Sequence, residues 1–387
     1  MHATQSRLRV AYFVPPSSIM AGVERVVHEI ATGLVEEDSD HLDVHVIFAT
    51  RYDDELIART SYTRHVLDTD RLRNLGPALR ACVAENRFDV LVCPQVEPSV
   101  IAWIATRGLG VAAFVPHLHG NPRIEQKRGS RRTKLAFALF RYLVGRRVAA
   151  VLTVSPALRE YVAESVAPRV PVYFARNPVR ALDATDPNPR VRVDTDPFHL
   201  LCVARLDHQK GIDVLLQAMA SARDVVPTLR LSIVGSGPDG DRLKDLSRTL
   251  GVDDIVEFVG HRTDPTEHYR AADCFVLASR WEGFGVVLIE ALQFGLPLVA
   301  ADCDFGPSDI VTDPRIGELV ATEDPTALAA GIARAARRPD GHRDIRRAAA
   351  AGYLRAAATR THVDVLRAVA TARSHSSERL ASFATQG

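Results

Sequence analysis

The 387-residue sequence predicts an α/β protein made of two doubly wound parallel-sheet domains facing a cleft. Three observations carry that prediction. Short β-branched runs are apolar throughout, as strands covered on both faces require, where half-exposed strands would alternate. Longer stretches of helical period separate them. A proline-rich break at 181–197, without apolar periodicity, interrupts this rhythm, after which it starts again.

In the first half the strand-like runs are 9–14, 43–49, 89–94, 111–116, 150–155 and 170–175, and the helical stretches between them are 23–34, 76–86, 99–106, 134–144 and 156–165. In the second half, strands are expected at 198–204, 229–235, 255–260, 274–279 and 296–301, with helices at 212–222, 240–251 and 286–295. The tail from about 345 is rich in Ala and Arg and helical in period. The organisation expected is an N-terminal domain at 1–180, a linker at 181–197, a second domain at 198–355 and a helical tail at 356–387 that packs back on the first domain. In such sheets ligands bind outside the carboxyl ends of the strands.

Composition narrows the function. A net charge of +1 gives no support to a general nucleic-acid binder. Cys82, Cys93, Cys202, Cys274 and Cys303 form no C-x-x-C pair and sit in or beside apolar runs, so buried free thiols in a reducing cytosol are expected. The first apolar run, VAYFV, meets Pro15-Pro16 and is too short for a signal peptide. No run approaches the ~18 apolar residues of a membrane span, so a cytoplasmic protein is expected.

The stretch LSIVGSGPDG, 231–240, formally matches the dinucleotide pattern G-x-G-x-x-G, and Glu257 follows at about the spacing of a ribose-binding acid. That fingerprint belongs in the first βαβ unit of a domain, whereas here the unit that opens the domain carries VARLDHQKGIDVLL. There Arg205 closes a strand, and Lys210-Gly211 opens a helix. Two cations and a helix start at a strand's carboxyl end suit a diphosphate. The richest segment is SRWEGFGVVLIEALQFG, 279–295. A Gly283-Phe284-Gly285 turn leads into a helix from Val286, whose first-turn amides lack internal partners. Glu290 lies four residues on, on the same face and about 6 Å along the axis, an offset suited to a ribose beside a diphosphate. Glu282 precedes the turn and would project into the cleft. The competing reading makes Glu290 a surface charge, but its neighbours are nearly all apolar, and a lone acid there needs a partner.

R-x4-K-G, VGSGP and the E-x7-E of EGFGVVLIEALQFGLPLVA resemble the retaining GT-B nucleotide-sugar glycosyltransferases, the large family numbered four, whose two domains are Rossmann-like. The resemblance covers nearly the whole chain and is strongest over 203–311. In the first half it rests on AGVERVVHEIATGL, where Ala21 stands for the family's usual first glycine, and on HLHGNP, TVS and RNPV. It implies that Arg205 and Lys210 neutralise the leaving diphosphate and that Glu290 holds the ribose hydroxyls. Glu282, Gly283 and the backbone of Phe284, Gly285 and Val286 would contact donor sugar and phosphates. Gly22 would close on the phosphates from the first, acceptor-binding domain. His119 would sit near the anomeric carbon, with His117 as its rival, and Gly235 and Gly237 would shape the wall.

Three D-x-D triplets, Asp68/Asp70, Asp194/Asp196 and Asp302/Asp304, suggest a metal, but the Arg/Lys pair already supplies positive charge, and no catalytic metal or other cofactor is expected beyond the nucleotide-sugar co-substrate. The turn at 302–311 resembles versions found in enzymes that use UDP-hexoses or UDP-N-acetylhexosamines, which implies UDP as the donor nucleotide, with GDP and ADP as the alternatives. The family's retention implies same-face attack, with the leaving diphosphate taking the acceptor's proton. The expected acceptor is a polysaccharide, a lipid-linked chain or a small metabolite. The stretch 123–147, with nine basic residues against one acidic and an apolar set of Leu135, Phe137, Leu139, Phe140, Leu143 and Val144, reads equally as a surface for an anionic membrane or as a buried helix with a solvated basic rim. Other classes that fit the fold are an epimerase acting on a nucleotide sugar and a non-catalytic partner subunit.

Overall fold

The computed structural model describes residues 7–16, 22–52, 60–69, 72–185, 196–337 and 341–384, with the backbone alone for 72–73 and 372–384. Two compact units result, one of 1–180 and 353–387 and the other of 181–352.

The first unit holds a seven-stranded sheet, β1 (Leu8–Val14), β2 (Leu42–Phe48), β3 (Thr63–Val66), β4 (Val90–Pro94), β5 (Ala113–Leu118), β6 (Val151–Thr153) and β7 (Val172–Phe174), in the order β3-β2-β1-β4-β5-β6-β7. The second holds β8 (Phe198–Val203), β9 (Leu229–Val234), β10 (Val256–Gly260), β11 (Cys274–Leu277), β12 (Leu298–Ala301) and β13 (Gly317–Val320), in the order β10-β9-β8-β11-β12-β13. Every pairing is parallel, in register from Leu8↔Leu42 to Val14↔Phe48 and from Phe198↔Leu229 to Val203↔Val234. The uniformly apolar runs become strands buried on both faces: β4, β5, β11 and β12 are buried along their whole length. Each unit therefore has its own core, built around Val10, Ile30, Val92 and Leu152 in the first and Leu200, Leu215, Ile233 and Val276 in the second.

In both sheets the chain winds outward from the first strand, then returns to its other side. That reversal lies between β1 and β4 in one unit and between β8 and β11 in the other, and it leaves a crevice at the carboxyl ends of those strands.

β3 and β13 escape the sequence reading because they are short edge strands without an apolar run. The final helix, Arg355–Ala384, packs against the helix Val23–Asp38. Arg355 pairs with Glu29 at 2.7 Å and Glu36 at 3.0 Å, and Arg367 pairs with Asp38 at 2.8 Å. A side chain at Gly33 would collide with Thr359 Oγ1 at 2.1 Å, so glycine permits this close crossing. Most of the expected linker, 186–195, lies outside the described residues, as do Ala21, Asp70 and Asp194.

Among the described residues the cysteines are free. Cys93, Cys202, Cys274 and Cys303 are buried as expected, whereas Cys82 is half-buried. Burial pushes the thiols of Cys202 and Cys303 up to about 12 and that of Cys82 up to about 11, so none presents a thiolate at neutral pH. No helix among the described residues is long and apolar enough to cross a membrane.

Candidate active site

The second unit gathers Arg205, Lys210, Glu282–Val286 and Glu290 around the crevice at the carboxyl ends of β8 and β11. Beyond β8 the chain makes a short turn, His208–Lys210, and enters the helix Ile212–Ala222 through Gly211, which is left-handed at φ 60. A Cβ at Gly211 would meet the Ala278 carbonyl at 2.1 Å. Glycine is thus required twice, for the backbone conformation and for the contact that brings this loop against the end of β11.

Lys210 Nζ donates to Glu282 Oε1 at 2.6 Å, and Ser279 Oγ donates to the same oxygen at 2.7 Å. Glu282 is only 6% exposed. A buried carboxylate is tolerable here because a cation and a hydroxyl both reach it. Arg205 stands apart from this pair: its Nε is bonded to Asp207 and its side chain is 65% exposed. The structure thus joins Lys210 to Glu282 directly and leaves Arg205 outward at the same edge.

Gly285, at φ 91, starts the helix Val286–Gln293 and has no side chain with which to cap it. Phe284 is buried, and Gly306 packs so closely that a Cβ there would lie 1.9 Å from the Phe284 carbonyl. The turn is thereby pinned from below, at a helix start where the Leu288 amide bonds the Gly285 carbonyl at 3.0 Å. The partner that Glu290 needs is Tyr269, whose hydroxyl donates to Glu290 Oε2 at 2.7 Å. Tyr269 is fully buried and stacks between Phe275 and Phe294, with centroid separations of 5.9 and 5.4 Å.

A second unpredicted residue ties the loops together. Arg280 makes a two-pronged bond to Asp213, at 2.9 Å each way, pairs with Glu323 at 2.8 Å and donates to the His208 carbonyl at 2.8 Å. Its bonds to Asp213 raise its pKa, and Asp213 is held below the usual carboxylate range by Arg280 against the opposing effect of burial. The Gln209 side chain bonds the Trp281 carbonyl at 2.9 Å across the same seam. Sequence offered only adjacency to Glu282 as a signal for Arg280, and none for Tyr269.

The glycines of VGSGP have a packing explanation. β9 is the second strand of its sheet, so the turn after it is not that of the opening βαβ unit. Cβ atoms at Gly235 and Gly237 would strike the carbonyls of Ala204 and Leu206, at 1.9 and 2.4 Å. The turn presses on the loop that bears Arg205. Glu257 lies exposed on edge strand β10.

In the first unit, Gly22 adopts φ 52 at the start of the helix Val23–Asp38, with open space where a side chain would be. His117 is the last but one residue of β5, in the interior, and His119 lies just beyond the strand, their rings 3.9 Å apart. The final helix adds His362, 5.5 Å from His117 and bonded through Nε2 to the Arg176 carbonyl at 2.9 Å. Burial, then the neighbouring His362, depresses His119 to about 3. Burial depresses His362 to about 4 and drives His117 down as well. All three are neutral imidazoles at pH 7. The loop carrying His119 is held by Gln95 Oε1, which accepts the amides of His119 and Gly120 at 3.3 and 3.2 Å. Gln95 itself has φ 59 and ψ 167, a glycine-type conformation for which about 1–3 kcal/mol of strain is expected.

Two family models, one after the other, match most of this chain. One described as Glycosyltransferase Family 4 matches residues 20–181, and one described as Glycosyl transferases group 1 matches residues 186–351. The chain belongs with the GT-B glycosyltransferases. A D-inositol 3-phosphate glycosyltransferase of Catenulispora acidiphila is 39% identical over 155 residues, which is 37% of this chain and 36% of that protein. The lipopolysaccharide core mannosyltransferase LpsB of Rhizobium meliloti is 32% identical over 153 residues, 38% of this chain and 43% of LpsB. The chain thus aligns over less than half the length of these relatives. Among solved structures, Anabaena HepE in complex with UDP and glucose superposes with a TM-score of 0.76 at 20% identity, covering 94% of this chain and 100% of HepE. That likeness extends the GT-B fold over both sheets of this glycosyltransferase.

Proposed function

We propose that this glycosyltransferase moves a hexosyl or N-acetylhexosaminyl group from a UDP-sugar to an acceptor hydroxyl on a polysaccharide, lipid-linked or small-molecule acceptor, with retention and without a metal. The observation that carries this reading is the combination in the second unit: the Lys210–Glu282 pair, the uncapped helix start at Gly285 and the tyrosine-held Glu290, all placed by the β8/β11 reversal. Lys210 and the first-turn amides offer the charge that a departing diphosphate needs. Arg205, exposed at the same edge and paired with Asp207, adds a second cation. Glu290 receives the ribose hydroxyls, and Glu282 with the Gly283–Val286 backbone receives the sugar.

Glu282 supports the retaining, same-face route. Its Oε1 already takes bonds from Lys210 and Ser279, which suits a group that positions substrate better than a free nucleophile. The proton of the acceptor then passes to the leaving diphosphate, and the protein contributes electrostatics and placement. HepE, solved with UDP and glucose, and the turn at 302–311 both favour a uridine nucleotide.

A panel of nucleotide sugars, read by thermal stabilisation and by slow hydrolysis, tests the proposal. One UDP-sugar is expected to raise Tm and to release UDP without added metal. If no nucleotide sugar stabilises the protein, or if release requires a divalent cation, the reading fails.

A further inference from the structure

The apolar side chains of residues 123–147 divide between the core and the surface. Phe137, Phe140 and Val144 turn inward and are buried, whereas Leu135 is 60% exposed and Tyr142 64% exposed. These two lie seven positions apart, about two helical turns, on the outer side of the consecutive helical segments Arg131–Leu139 and Phe140–Val144. The helix Val96–Thr106 packs alongside and presents Ile104, 55% exposed. Next to Ile104, Trp103 is flanked by the guanidinium groups of Arg107 and Arg147, 5.7 and 5.9 Å from its ring.

The charge around these apolar tips is predominantly positive. All nine basic residues of 123–147 are exposed. Arg132 is engaged with Glu97 at 2.6 Å, and Arg141 bonds the Ser165 carbonyl. The segment's single acid, Glu125, is pushed up to about 7 by burial and by Glu97, so it offsets little of the positive charge.

We propose that this face, with Ile104, Leu135 and Tyr142 at its apex and the surrounding Arg and Lys side chains as its rim, docks on an anionic lipid bilayer. The occupant follows from the mixture. A soluble polyanion would be served by the cations alone, and it has no use for two exposed aliphatic side chains. A bilayer surface takes both, with phosphates meeting the rim and the acyl boundary meeting the apex. The proposal goes beyond the transfer reaction and stands or falls without it, because docking is measured with no nucleotide sugar present.

The test is flotation of the full chain with vesicles of phosphatidylcholine, either pure or containing roughly a third phosphatidylglycerol. Binding is expected to the anionic vesicles only and to fall in high salt. Leu135→Ser with Tyr142→Ser should weaken it at least about tenfold, and Lys134→Ser about fivefold, with unchanged Tm. Absence of binding to anionic vesicles overturns the proposal. So does undiminished binding by the Leu135/Tyr142 double variant, or equal competition by a soluble anionic polysaccharide, which would make the face a polyanion site.

Discussion

Glu290 shows how one hydroxyl holds an acid on an apolar helix. The carboxylate occupies an otherwise apolar helix, and Tyr269 holds it from a position stacked between two phenylalanines. Tyr269→Phe keeps the stacked ring and removes only the bond. Loss of a bond to a charged group costs the fold about 1.5–3 kcal/mol, so Tm should fall, and with Glu290 no longer held UDP affinity should fall roughly tenfold as well. Calorimetric titration of variant and parent decides it, and equal affinities would detach Tyr269 from nucleotide recognition. Glu290→Ala should abolish stabilisation by the nucleotide outright while leaving the fold intact. Retained stabilisation would remove the ribose role from Glu290.

Loops after β8 and β11 behave as one element because Gly211 and Arg280 join them. Gly211→Ala forces a side chain into a left-handed position and against the Ala278 carbonyl. A loss of more than about 1–2 kcal/mol in a urea midpoint is expected, with a raised donor KM because Lys210 is the preceding residue. Arg280→Ala leaves Asp213 without its fork and should cost about 2–4 kcal/mol, and Arg280→Lys should recover only part of this, since a point charge does not reproduce the two-pronged bond. The pair also sets a pH dependence. Asp213 has a folded pKa below its unfolded one, so its contribution is full above the ordinary carboxylate range and is lost as pH falls through the depressed value. The acid limb of unfolding in Arg280→Ala should therefore be shallower than in the parent. Identical limbs would show that the clamp has no energetic weight.

At the level of the whole chain, the return of the final helix to the first unit closes the histidine cluster. His117, His119 and His362 are buried and neutral, so the unfolded chain takes up protons below about pH 6.5 that the folded chain refuses, and stability falls on acidification. Glu125 acts in the opposite direction: raised to about 7, it keeps a proton that the unfolded chain releases above its ordinary value. Between these limits the net difference is about two protons, or roughly 2.7 kcal/mol per pH unit at its steepest. His362→Gln should reduce that slope by about one proton, measured as urea-unfolding free energy against pH. An unchanged slope would show that His362 does not share in the titration.

Much of this molecule was legible in its residues. Apolar strands and Gly-limited helix starts fixed the two parallel sheets and marked Arg205, Lys210, Glu282 and Glu290, because burial and backbone conformation act locally and leave a local pattern. Lys210 and Glu282 could be named separately, but their contact spans 72 positions and exists only because β8 and β11 lie side by side. Tyr269, Arg280 and His362 carried little or no signal, since each acts through a partner distant in sequence. The basic segment shows the division most plainly. Its composition announced cations and apolar side chains together, yet only packing decided that Phe137 and Phe140 face the core while Leu135 and Tyr142 face solvent, because the side a helix buries depends on the neighbour it meets.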